Sequence, residues 1–490
     1  MIYKDIEKYI DKLYSYQNIN MNKEQRNLYS RGKYYKLVRD VLKEIKNNKD
    51  CSCSEIRKIL FYKSKIEEKI KEFVLVNKKV PGMLFSYGTK NYKETIVIGN
   101  KQEKTIDSSG KIITKKEKMT EDAIFDLASV TKLFTSLSIL NLAENNYLNL
   151  NDCVKKYAPE FENLENVTII DLLSFNIGLR TDKRIDNALD KEEAEKILFD
   201  IKKSENKKNK NPYTDMGAMI LKYIIEKISN KSYYDFLKET ILDSLNLKDT
   251  NVVIPKSKIE RVVNNNLDVK IYKNNEIFIN KKNTKGIVYD PKAQIMGQKE
   301  GNLSGHAGLF SSANDMTKLA KGIIKKKIIT EKYINNLAIN KTGKKYFENG
   351  KINYVQYFSL LCYSKNPRSI DSEVHSALSG RSFSSVGWTG SKFTVDTLNN
   401  IFLFASANRS HNRITYIGDK KSSLIKMDSK NNEYILNDNE KIYNASNYAV
   451  ERDTEVIDYV TELLLKYKIL EDFYEMVNEK VTYQERDITL

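Results

Sequence analysis

A chain of 490 residues with 40% hydrophobic and 30% charged side chains is long enough to bury a sizeable core and exceeds what one core usually organises. No apolar run of about 18 residues offers a membrane span, and no nucleic-acid partner is expected: the net charge of +17 comes mostly from scattered lysines among many Asn, Ile and Tyr, a compositional bias that reads as a solvated surface.

The opening MIYKDIEKYIDKLYSYQ carries charges every few residues and lacks the apolar core and small-residue cleavage site of a secretory signal, so residence in the cytoplasm is expected. DIEKYIDKLYSY and YYKLVRDVLKEIKNN space their apolar residues by three and four, which predicts two amphipathic helices joined by NINMNKEQRN. Residues 1–65 hold 16 basic and 8 acidic side chains, a net of +8, and read as a basic helical segment distinct from a main domain over 66–480. Such a segment packs on the main domain with a wet basic face or serves a protein partner or an anionic surface. Cys51, Cys53, Cys153 and Cys362 fit no disulfide framework, and the CSCS spacing suits no zinc knuckle, so reduced thiols, no metal and no cofactor are expected.

From residue 66 the texture changes. KIEEKIKEFVLVNKK reads as a helix, Pro81 and Gly82 as a turn, and MLFSYG and ETIVIG as strands. Helical pattern fills much of 129–245, and the lysine-rich chain over about 250–300 reads as irregular. SKFTVD and NIFLFASAN are further strands, and a last helix is expected over about 453–477. Strands from both ends with helices between them predict an α+β fold: an antiparallel sheet flanked by helices, with an all-helical region inserted.

FDLASVTKLF places Ser129 three residues before Lys132 at the start of an apolar helix, so the two share a face. A serine hydroxyl is a weak nucleophile alone, and a desolvated lysine kept neutral can take its proton. Farther on, NPYTDMGAMILKYIIEKIS sets Tyr213 and Asp215 just before an amphipathic helix, and a phenol beside an ammonium can serve as a proton shuttle. With only His306, His375 and His411 in the chain and no nucleophile elbow, Ser, Lys and Tyr form a more economical set than a Ser-His-Asp triad.

FDLASVTK, TIIDLLSFNIGL, PYTDMGAMILKYIIEKIS, GIVYDPKAQIMG, SGHAGLFSSANDMTKLA, SVGWTGSKFTVD and FLFASANRSHNR resemble, in order, the landmarks of the beta-lactamase-related serine hydrolases, closest to the DD-carboxypeptidase-like penicillin-binding proteins and esterases. The resemblance spans about residues 66–480. It implies Ser129 as the acylated nucleophile, Lys132 as its activator and Tyr213 as the tyrosine of the Tyr-x-Asn or Tyr-x-Asp motif. Asp215 would orient the lysine and the substrate amide, and the backbone N–H groups of Ser129 and Trp388 would form the oxyanion hole. The fold implied is the transpeptidase-like arrangement of sheet and helices, with the site between them.

Two departures stand out. Where the family commonly has Lys-Thr-Gly or His-Thr-Gly, this chain reads Ser385, Val386 and Gly387, losing both groups that ordinarily hold a substrate carboxylate. SFNIGL replaces a His-Thr-Ser-Gly-Leu turn, with Gly178 expected to end a helix and Phe175 to pack in place of the imidazole. His306 reads as a structural histidine, Trp388 as a cleft or strand residue, and KKSENKKNKN as an exposed loop able to attract anions. The expected function is a serine hydrolase acting through an acyl-enzyme on a small ester, an amide or a D-amino-acid peptide; the alternative is an idle relative serving as a binding module.

Overall fold

The structure is a computed structural model describing residues 33–48, 55–56, 63–204, 213–272, 276–281, 285–343, 345–348, 351–354, 356–366, 373–418, 426–428, 432–435 and 441–487. The first expected helix, its NINMNKEQRN connection and most of KKSENKKNKN lie outside these residues.

The main sheet has seven strands in the order Tyr363–Ser364, Ser382–Val386, Lys392–Asp396, Ile401–Ala407, Gly82–Thr89, Lys93–Ile106 and Ile112–Lys118. Every pairing is antiparallel, and the two chain ends meet at the centre, with Met83 opposite Ala407 and Thr89 opposite Ile401. All four strand-like runs of the sequence lie in this sheet.

Alternation along a strand sends successive side chains to opposite faces, and here both faces are covered. Leu84, Phe402 and Phe404 join the core shared with the helical region. Met83, Phe85, Tyr87, Leu403 and Ala405 join a second core built with terminal helices. To it the helix Lys33–Asn47 brings Leu37, Val38, Val41, Leu42 and Ile45, and the C-terminal helix Asp458–Asp487 brings Leu464, Leu465 and Ile469. The boundary read near residue 65 therefore follows composition, while packing runs across it.

The helical region comprises Thr131–Glu144, Ile169–Leu173, Lys191–Phe199, Met216–Ser229 and Tyr233–Leu237. Thr131–Glu144 is buried almost all round, so it serves as a core helix rather than an amphipathic one. Among the described residues no helix is long and apolar enough to cross a membrane.

Two expectations are corrected. The lysine-rich stretch after residue 250 contains the strands Val269–Ile271 and Ile277–Ile279, which enter a six-stranded sheet beside Arg413–Ile417. Three-residue strands carry too little alternation to be read, and Val269–Ile271 is fixed by a distant parallel partner. Gly178 does not end a helix either: Ile169–Leu173 stops earlier, Phe175 takes the left-handed turn at φ 52°, and Gly178 begins the strand Gly178–Arg180.

Candidate active site

The strand Ile124–Asp126, paired with Phe310–Ser312, leads into a tight turn at Ala128–Val130 and then the helix from Thr131. Ser129 thus sits just before the helix, half-buried at its mouth. The turn is strained: Ala128 has φ 45°, a conformation costing a residue with a Cβ on the order of 1 kcal/mol or more. Asp126 holds it, its Oδ1 accepting the Ala128 N–H at 2.8 Å.

Lys132, only 1% exposed, stands one helical step above Ser129. Its Nζ donates to Ser129 Oγ at 2.9 Å, to Asp215 Oδ1 at 2.8 Å and to the His306 carbonyl at 3.1 Å, which uses all three ammonium hydrogens. Burial by itself would lower this lysine's pKa, but the Asp215 carboxylate and the Tyr213 phenol outweigh it and the net shift is upward. Desolvation alone therefore does not favour a neutral lysine in the resting site, because the buried ammonium has a carboxylate in direct contact.

Tyr213 completes the set, with Lys132 Nζ lying 5.3 Å from its ring centroid. Its own ring stacks on Phe175 at 4.9 Å, and Phe358 packs against both. Phe175 thus steers the tyrosine, a use of SFNIGL beyond filling space. Asp215 occupies the N-cap position of the helix Met216–Ser229, yet its side chain does not cap it. An aspartate there is normally a capping residue; this one is diverted to the lysine.

A second lysine joins the cluster. Lys292 Nζ lies 3.0 Å from Asp186, 3.1 Å from Asp290 and 3.4 Å from Asp215 Oδ2. Asp290 also meets His306 Nε2 at 3.0 Å and caps the helix Pro291–Met296. Burial pushes the Asp215 and Asp290 carboxyls up, but Lys132 and His306 with Lys292 bring Asp215, and His306 with Lys292 bring Asp290, well below the usual carboxylate range. The same carboxylates hold Lys292 above its ordinary value despite burial. His306 is buried, with Ser304 Oγ 3.1 Å from its Nδ1, and its backbone serves Lys132, in keeping with a structural histidine. The 304–308 loop can approach because Gly305, at φ 89°, has no Cβ; one would meet the Ala218 carbonyl oxygen at 2.2 Å.

Asp215, Asp290 and His306 present donor atoms within 4.8 Å of one another, the one such group among the described residues. Lys132 already contacts Asp215, and Lys292 contacts both Asp215 and Asp290, so this donor set suits internal ion pairs better than a metal.

The opposite wall is the strand Ser382–Val386 and the turn after it. Ser385 is 2% exposed. Gly387 lies so close to the nucleophile turn that a Cβ would stand 2.3 Å from the Leu127 carbonyl oxygen, which brings the Gly387–Trp388 backbone against it. Trp388 is 44% exposed, with the Arg409 guanidinium 4.1 Å from its ring centroid and Nη1 donating to its carbonyl at 3.3 Å. It lies in the turn after the strand, half-exposed and packed against Arg409.

Ser129, Lys132, Tyr213 and Asp215 meet in one cluster, and a family profile described as beta-lactamase matches residues 91–418, a span that contains all four. The chain belongs to the beta-lactamase family. A Salmonella gallinarum protein provisionally named a D-alanyl-D-alanine carboxypeptidase is 26% identical over 330 residues, 60% of this chain and 71% of its own length. The octameric penicillin-binding protein homologue from Pyrococcus abyssi superposes with TM-score 0.51 at 20% identity, covering 70% of this chain and 73% of its own. A class C beta-lactamase from Rhodobacter sphaeroides gives 0.51 at 15%, over 71% and 95%. A mutant simvastatin synthase from Aspergillus terreus gives 0.53 at 12%, over 84% and 97%. At these identities the solved structures establish the shared beta-lactamase/transpeptidase-like fold.

Within this family site, Asp126, Asp290 and Lys292 received no role from the sequence. The signal was present in GIVYDPKAQIMG, an aspartate before proline at a helix start followed by a lysine, but that reading stops at a cap.

Proposed function

We propose that the protein is a serine hydrolase that forms an acyl-enzyme on Ser129 and acts on a small ester, an uncharged amide or a D-amino-acid peptide. The observation that carries this reading is the 2.9 Å contact between Lys132 Nζ and Ser129 Oγ inside a nearly closed ion-pair cluster. Ser129 Oγ attacks the substrate carbonyl carbon as its proton leaves. An ammonium cannot accept that proton, so the reactive form is the one in which Lys132 has first given one up, with the nearby Tyr213 phenol as the relay. The backbone N–H groups of Ser129 and Trp388 take the oxyanion, the relayed proton goes to the departing alcohol or amine, and water then releases the acyl group and restores the hydroxyl.

The provisional name of the Salmonella relative favours a D-alanyl-D-alanine carboxypeptidase reaction. The loss of a basic residue and a threonine at Ser385 and Val386 favours substrates without a terminal carboxylate, and the second is the preference proposed here. That same loss is what supports the alternative of an idle binding module.

Intact-protein mass after exposure to a serine-directed phosphonylating probe separates them. One added label on Ser129, abolished by Ser129→Ala and Lys132→Ala, is the expected result. No label, or a label on another serine, overturns the reading.

A further inference from the structure

Asp126 takes no part in the chemistry above, yet three segments of the site meet on it. Its side chain is 2% exposed. Oδ1 accepts the N–H of Ala128, one residue before the nucleophile, at 2.8 Å. Oδ2 accepts the N–H of Tyr289 at 2.7 Å, at the head of the segment that carries Asp290 and Lys292. Its carbonyl oxygen accepts the Thr389 hydroxyl at 2.6 Å, one residue beyond Trp388.

A buried carboxylate is costly unless charge-assisted hydrogen bonds replace its water. This one has two such bonds, both to backbone donors whose placement decides where Ser129 and Lys292 lie. The first also holds Ala128 in its left-handed turn. Only an ionised carboxylate offers an acceptor to both donors in full: a neutral acid or an amide of the same shape presents an O–H or N–H to one of them.

We propose that Asp126 is a positioning residue that fixes the attack geometry of Ser129 and ties it to the oxyanion turn and to the Lys292 ion pairs. The proposal rests on Ser129 being the acylated residue. It acts through backbone alone, so its loss changes the rate of acyl transfer more than the binding of substrate.

Acidity gives this role a signature. Burial pushes the Asp126 carboxyl up to about 6, against the two N–H donors that lower it, and Asp290 on the 289–292 segment adds to the rise. Phe310 on the paired strand and Thr389 on the turn bring no titrating group, and His306 lies behind Asp290. As the pH falls through about 6 the carboxylate is protonated and the turn loses an acceptor. The folded value stands above the unfolded one, so this group's contribution to stability increases as the pH falls over the same range. Acylation therefore slows while the fold gains, whereas a structural role alone would move both together.

The experiment measures activated-ester turnover, phosphonate labelling and thermal midpoint from pH 5 to 8 for the native protein, Asp126→Asn and Thr389→Val. Asp126→Asn is expected to lower kcat by about ten- to hundredfold, with KM changed less than about threefold, and to lack the acid limb near pH 6. Native turnover in that variant, or an unchanged acid limb, overturns the proposal. Should Asp126→Asn fail to fold, the native profile decides. A break near 6, steeper below it than the Lys132 limb alone gives and without a fall in thermal midpoint, together with a kcat defect in Thr389→Val, supports it; a profile without that break, a break that follows unfolding, or native kcat in Thr389→Val refutes it. If the native protein is not labelled on Ser129, the reading of the nucleophile fails first and this inference falls with it.

Discussion

The two walls that flank Ser129 have diverged unequally. On the helical side Lys132, Asp215, Lys292, Asp290 and His306 are joined by contacts of 2.8–3.4 Å, each ammonium facing a carboxylate. On the strand side Ser385 is buried, Val386 is aliphatic and Trp388 presents an aromatic face. On the proposed reading, the groups that handle protons are thus complete, while those that ordinarily grip a carboxylate are missing. Proton handling and substrate grip are physically separable because they sit on different secondary structures, and only the first needs the buried ion pairs.

The comparison breaks first if the helical wall is dispensable. Lys132→Met is expected to slow phosphonylation of Ser129 by about 10²- to 10⁴-fold, the range for losing a positioned proton acceptor, as measured by labelling rate. A loss below tenfold would move the proton acceptor elsewhere.

On the strand wall, Ser385→His with Val386→Thr is expected to raise kcat/KM for peptides ending in a carboxylate by roughly ten- to hundredfold, equivalent to a charge-assisted contact of about 1.5–3 kcal/mol. Turnover of neutral esters should change much less. Equal gains on both substrate types would place carboxylate recognition outside this strand. Because Ser385 is buried, Val386→Thr alone, expected to yield under about tenfold, controls for strain.

A subtler test concerns the charge on the helical wall. Asp215 raises the Lys132 pKa, so Asp215→Asn should lower it and move the rising limb of the pH–rate profile toward acid. A limb that stays in place would show that Lys132 ionisation does not govern the rate.

The smallest effect expected is on stability. Asp215 and Asp290 have folded values below their unfolded ones, so the stability they confer is complete above the ordinary carboxylate range near 4 and is lost as the pH falls below it. The thermal midpoint should drop by a few degrees more between about pH 4 and 3 in the native protein than in Asp290→Asn.

Much of this site was legible because its central pair is local. Ser129 and Lys132 lie three residues apart on one helical turn, and Tyr213 with Asp215 precede a strongly patterned helix, so spacing drew attention to both pairs and the family resemblance supplied the expected roles. Asp126 and Lys292 were not legible: each has one partner two residues away, but the contacts that give them a place in the site, Tyr289 for Asp126 and Asp215 for Lys292, lie 163 and 77 residues off, and sequence spacing is silent about contacts made through space. The protonation of Lys132 misled for a related reason: burial could be inferred from an apolar helix, but the carboxylate that outweighs it arrives from residue 215. Four of the seven strands of the main sheet were readable from their apolar runs; the two-residue Tyr363–Ser364 and the exposed Ile112–Lys118 were not among them. The second sheet was not, because strands as short as Val269–Ile271 acquire their identity from pairing with Arg413–Ile417.

The central pairing of Gly82–Thr89 with Ile401–Ala407 has a consequence for how the protein is made. A chain emerging from the ribosome carries Met83, Phe85 and Tyr87 more than 300 residues before the C-terminal part of their cover, at Leu403, Leu464 and Ile469, exists, with only the N-terminal helices to share that core in the meantime. At roughly 5–20 residues per second that interval lasts tens of seconds, during which the nucleophile is already outside the tunnel but its opposing wall is not. On the proposed reading, acyl transfer by Ser129 therefore waits until the strand Ser382–Val386 and the turn at Trp388 have emerged.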